Sequence, residues 1–92
     1  EKAFRDFRIT QDQKREYVMA GLEASDRALA LNDRYVDALI YKNILLRMQA
    51  NDTEDLDEQE ALIAEADELR ETAEALQKEQ REGAAAAAAA GA

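Results

Sequence analysis

The chain has 92 residues, a formal net charge of −9, and no cysteine, histidine or proline. A chain this short removes only a little over ~60% of its unfolded surface from water on folding, so it amounts to one domain of marginal stability that a neighbour would help. Without Cys or His it has no disulfide, no thiol nucleophile, no imidazole base and few ways to hold zinc or another transition metal.

Ala, Leu, Glu, Gln, Arg and Lys dominate, which is the composition of helices, and the expected fold class is all-α. Residues 1 to 50 are nearly balanced, with nine Lys/Arg against eight Asp/Glu, whereas residues 51 to 92 hold three against thirteen. An acidic surface repels phosphate backbones and anionic headgroups, so neither nucleic acid nor a membrane surface is expected as partner. The early cations Lys2, Arg5, Arg8, Lys14 and Arg15 alternate with Glu1, Asp6, Asp12 and Glu16, as on a solvated helix face. No apolar run approaches the ~20 residues of a spanning helix, and no signal-peptide pattern opens the chain. It begins at Glu1 rather than Met, which leaves open a lost targeting segment and therefore the compartment, cytoplasmic or extracytoplasmic.

Taken in order, residues 1–10 read as the end of a preceding helix or arm, with Ala3, Phe4, Phe7 and Ile9 as its apolar positions. Thr10 and Gln13 have the form of a capping box, which predicts a helix from about Gln11 to Leu31. Its stripe is Tyr17, Gly21, Ala24, Ala28 and Leu31, widened by Val18, Leu22 and Leu29, and its small residues admit a close neighbour. Asn32 and Asp33 end it, Asp33 being also a candidate cap for a second helix over about Arg34 to Ala50. From Val36 to Met48 that helix is apolar around most of its circumference, as suits the central helix of three.

Asn51 to Gln59 reads as an acidic loop with Asp55 or Asp57 as candidate caps of a third helix. That helix carries Leu62, Ala66, Leu69, Ala73 and Leu76 at steps of four, three, four and three, a single narrow seam. Residues 11–82 form the domain, and residues 83–92, Gly83 followed by seven alanines, Gly91 and Ala92, are a low-complexity tail. The tail has the look of linker or tag sequence; an ordered tail requires that the third helix continue through Gly83 or that another chain support it.

Two segments carry a resemblance. Gly21, Ser25 and Ala28, with Asp33 at the proline position, resemble the second-helix A-x3-F-x2-A pattern of a tetratricopeptide repeat (TPR), and Leu39, Lys42, Asn43 and Leu46 resemble its first-helix W-x2-L-G-x2-Y pattern. Ala66, Arg70 and Ala73 resemble a further second helix, 45 residues after Gly21 where the repeat length is about 34, the excess lying in the acidic loop. The resemblance spans about residues 11 to 80, one and a half divergent units, keeping small residues and spacing but lacking the aromatics and the proline.

The resemblance implies TPR-like antiparallel hairpins, a right-handed α-solenoid fragment, and a non-catalytic scaffold or interaction module. Because a lone repeat cannot bury its apolar face, residues upstream of Glu1 or another subunit are expected to pack on the first helix. In this family first helices line the concave binding surface, and the matching positions are Asp37, Ile40, Tyr41, Ile44, Arg47 and Met48, of which Ile40, Ile44 and Met48 could equally be core. Such a mixed stripe suits a helix or peptide that lays down apolar anchors and one or two ion pairs. The family's clamp for acidic tails is not matched, since Ile40 and Ile44 stand where Lys and Asn would be needed.

The acids Asp52, Glu54, Asp55, Asp57, Glu58 and Glu60 fail as an EF-hand, with Leu56 at the turn glycine and Leu62 at the final Glu. Exposed carboxylates without a pocket to shift their pKa carry no acid–base chemistry, so no enzyme, cofactor or metal is expected. Partners are expected to be proteins or a neighbouring subunit, in a homo- or hetero-oligomer. The competing reading is a small accessory subunit embedded in a larger complex, held by the Leu62 to Leu76 seam and the tail.

Overall fold

The computed structural model describes the backbone of residues 2–91 and the side chains of residues 10–91. It is all-α: helices α1 (Lys2–Leu31), α2 (Val36–Asn51) and α3 (Leu56–Gly91) follow one another, with no strand among the described residues. Helix α2 packs on α1 on one side and on α3 on the other, while the backbones of α1 and α3 stay apart. The expected central helix is therefore central.

Helix α1 does not begin at Gln11. It runs unbroken from Lys2, so Thr10 and Gln13 lie inside a helix and form no capping box. The reason is that nothing between Ile9 and Gln11 breaks a helix: there is no Gly or Pro, and Thr costs only a few tenths of a kcal/mol in a helix interior, about 0.7 at most. The side chains of Ala3, Phe4, Phe7 and Ile9, and of Lys2, Arg5 and Arg8, lie outside the described residues.

The face that α1 buries is turned slightly from the expected stripe. Val18, Gly21 and Ser25 are buried and Leu22, Ala28 and Leu29 half-buried, whereas Tyr17, Ala24 and Leu31 are exposed. Leu31 is 90% exposed because the chain turns immediately after it. Ser25 can be buried because its hydroxyl donates to the Gly21 carbonyl, 2.8 Å away, within the same helix.

The turn into α2 is built by Asn32 rather than Asp33. Asn32 Oδ1 accepts from the Arg34 amide at 3.1 Å and its carbonyl accepts from the Tyr35 amide at 3.2 Å. Tyr35 holds the N-cap position with no side-chain cap, so the expected Asp33 cap is absent and α2 starts two residues later than expected. At the other end, Thr53 Oγ1 donates to the Gln49 carbonyl and Gln59 Nε2 to that of Ala50, satisfying acceptors that a helix C-terminus leaves open.

The acidic connection is shorter than expected, residues 52–55 only, because Asp55 starts α3 at once: its Oδ1 accepts from the amides of Asp57 (2.9 Å) and Glu58 (3.3 Å). Along α3 the expected seam is the buried one, with Ala66, Ala73 and Leu76 buried and Leu62 and Leu69 half-buried. A cluster of Leu39, Ala73 and Leu76, flanked by Leu29, Val36, Ile40 and Leu69, joins the three helices. Helix α3 then continues through Gly83 to Gly91 with every residue beyond Leu76 exposed. No helix among the described residues is long and apolar enough to cross a membrane.

Candidate functional site

Helices α1 and α2 approach closely at Gly21. A Cβ built there would stand 2.6 Å from Leu45 Cδ1 and 3.1 Å from the Tyr41 hydroxyl, and Leu45 is fully buried. Small residues at this crossing bring the helices together, as ridges settle into grooves without long side chains between them. Just above it the same closeness opens into a groove of about 410 Å³, lined by Ala24, Ser25 and Ala28 of α1 and Tyr35, Asp37, Ala38 and Tyr41 at the start of α2.

Tyr41 forms the wall nearest the crossing. Its hydroxyl donates to that of Tyr17 at 2.8 Å, and the two rings meet edge to face, centroids 6.5 Å apart at 88°. This hydrogen bond, then partial burial, then repulsion from the neighbouring phenol hold the Tyr41 proton on, raising its pKa above the ordinary 10.0. Both rings are therefore held in place while remaining accessible, Tyr17 at 55% and Tyr41 at 36% exposure.

At about 100° per residue, Asp37, Ile44 and Met48 fall within an arc of roughly 40° on α2, with Tyr41 at one margin and Ile40 and Arg47 at the other. The margins are the two interfaces. Tyr41 meets α1 through Tyr17, Ile40 packs against the three-helix cluster, and Arg47 reaches α3, where Nη2 donates to Asp67 Oδ1 at 2.7 Å while Nε donates to Asn43 at 2.8 Å. Between them Asp37 and Ile44 face solvent and Met48 is half-buried. Of the six residues expected to line a partner surface, then, Arg47 and Ile40 are engaged with α3, and Asp37, Tyr41, Ile44 and Met48 bound the uncovered face.

The hydrogen bond from Arg47 lowers the Asp67 pKa below its ordinary 3.8, against the opposing effect of partial burial, with Arg70 adding a weaker attraction. Lys42 lies on the opposite side of α2, between α1 and α3, with its ammonium 2.8 Å from Asp26 and 3.9 Å from Glu65. Two acids of the connection are occupied in the fold: Asp55 caps α3 and Asp52 pairs with Lys14 at 3.4 Å. Among the described residues no three carboxylates gather as a metal site would need.

The sequence marks Ala24, Ser25 and Ala28 as close-packing positions of the first helix, but neither they nor Tyr35 were expected in the partner surface. Tyr35 was hidden because it lies in a turn, outside any helical period, and its place in the groove follows only from how α1 and α2 cross. Comparison of the chain with protein-family models, with curated proteins and with solved structures finds no match.

Proposed function

We propose that this chain is a non-catalytic protein-interaction module of TPR type, whose binding surface is the uncovered face of α2 together with the α1/α2 groove. The observation that carries the reading is that Tyr41 and Ile44, at 36% and 49% exposure, lie on the side of α2 that neither neighbour covers, with Tyr35, at 46%, lining the adjoining groove. Aromatic and aliphatic anchors beside a single carboxylate are what an amphipathic helix or extended peptide docks on. Further support comes from the order of packing, a central helix flanked on both sides, and from the small-residue positions Gly21, Ser25 and Ala28 at the crossing.

The test is site-specific photo-crosslinking in the native source, with the crosslinker at Ile44. A discrete protein adduct is expected there, and the adduct formed from a crosslinker at Tyr35 should be lost on Ile44→Asp in a protein whose melting temperature is unchanged. Absence of any adduct at Ile44 and at Tyr35 rejects the reading.

A second reading, an accessory subunit held in a larger complex by α3, is favoured by one observation. Helix α3 runs fifteen residues beyond Leu76, its last buried position, with no cover. A crosslinker at Ala87 separates the two, since adducts there and not at Ile44 select the accessory subunit.

A further inference from the structure

The groove between α1 and α2 combines three features that converge on one kind of guest. Two tyrosines, Tyr35 and Tyr41, line it together with Asp37, and Ala24, Ala28 and Ala38 supply its small apolar lining. Aromatic faces attract cations through their quadrupole, guanidinium more often than ammonium. Small apolar residues accept the aliphatic stem that carries such a cation.

The carboxylate is uncommitted. Among the described residues Asp37 makes no ion pair or side-chain hydrogen bond, while the basic residues flanking it in sequence are taken: Arg34 binds Glu79 at 2.8 Å, Lys42 binds Asp26 at 2.8 Å, and Arg47 binds Asp67 at 2.7 Å. Asp37 also gains from the dipole at the start of α2, which explains a carboxylate there but not the two rings beside it.

We propose that this groove takes one basic side chain of a protein partner, arginine in preference to lysine, with its stem along the alanine lining, its planar head against the tyrosines and its charge on Asp37. A guanidinium can stack and give a forked hydrogen bond to a carboxylate at the same time, and ammonium can do only one of these well. This assignment rests on the interaction-module reading and sharpens it to the chemistry of one anchor.

The test selects a displayed library of random short peptides against the whole chain and maps the selected peptides by backbone amide shifts. The expected result is a shared arginine, with shifts at Ala24, Ala28, Asp37 and Tyr41. Replacing that arginine by citrulline, and separately Asp37→Asn, should each weaken Kd about tenfold, the worth of a charge-assisted hydrogen bond. Glu68→Gln on α3, which removes an exposed carboxylate elsewhere, should leave Kd unchanged. Circular dichroism of Asp37→Asn should match the parent, since the residue is exposed. Peptides that bind this face without a basic residue, or that ignore citrulline and Asp37→Asn, overturn the arginine site and leave the interaction module standing. Shifts confined to α3, with loss on Glu68→Gln, reduce the attraction to general acidity and overturn it as well. If no peptide binds the α2 face, both the site and the module reading fall.

Discussion

Gly21 is the residue on which the α1/α2 crossing turns. Alanine there must displace Leu45 Cδ1 at 2.6 Å, and Leu45 is fully enclosed, so overpacking costs about 1–3 kcal/mol while alanine's better helix propensity returns about 1. Gly21→Ala is thus expected to lower stability by about 1 kcal/mol, seen as a fall in Tm of about 4–8 °C for a domain of this size. Gly83→Ala is the control: nothing lies within 4 Å of its added methyl, so only the propensity gain of about 1 kcal/mol acts, as higher helicity of the tail.

Tyr41 gives a second check at this scale. Its raised pKa means that the folded state favours the neutral phenol, so the stability it contributes is complete below pH 10.0 and is lost as pH rises through the folded value. Absorbance titration should show Tyr41 ionising above the ordinary 10.0, and Tyr17→Phe, which removes the hydroxyl that accepts its bond, should bring that transition down.

At the scale of elements, α2 is held to its neighbours by contacts of different kinds. Toward α1 it presents Leu45 at the Gly21 crossing; toward α3 it presents Leu39, in the cluster with Ala73 and Leu76, and the Arg47 to Asp67 pair. Leu45→Ala is expected to cost about 2–5 kcal/mol, because a fully buried leucine leaves a cavity that a close-packed crossing fills poorly. That loss is a large part of the stability of so small a domain, so urea unfolding should show a midpoint shifted strongly downward.

The Asp67 pair responds to acid. Its carboxyl pKa lies below the ordinary 3.8, so its contribution is present above that value and disappears as pH falls through the lowered one. Asp67→Asn should flatten the stability profile over that acid range and lower stability by a constant amount above it. Both partners are partly exposed, at 36% and 42%, so salt should weaken the effect.

At the scale of the whole molecule, the shape follows from two long helices, α1 of 30 residues and α3 of 36. The radius of gyration is 17.7 Å with extents of 66 × 29 × 23 Å, where a compact chain of this length has about 12 Å. The accessible surface, 6921 Å², likewise exceeds the about 5,400 Å² that its mass predicts for a compact monomer. Beyond Leu76 the remainder of α3 adds about 1.5 Å of length per residue and no burial. Deleting residues 83–92 is therefore expected to reduce the radius of gyration in small-angle scattering and leave the unfolding midpoint where it was.

Patterns with a fixed helical period were legible in the residues. The all-α class, three helices, the central place of the second and the seam Leu62, Ala66, Leu69, Ala73 and Leu76 all follow from composition and a repeat of three and four. Asp55 as a cap was legible too, since a carboxylate ahead of an amphipathic run has a short-range job. What needs two helices at once was not. Which side of α1 meets α2, and that Tyr35 joins Asp37 and Tyr41 beside Ala24 and Ala28, depend on the angle and distance at which α1 and α2 cross. Sequence by itself determined the elements, because helix periodicity and capping act over a few residues; only tertiary packing decided the groove, because residues far apart in the chain meet there.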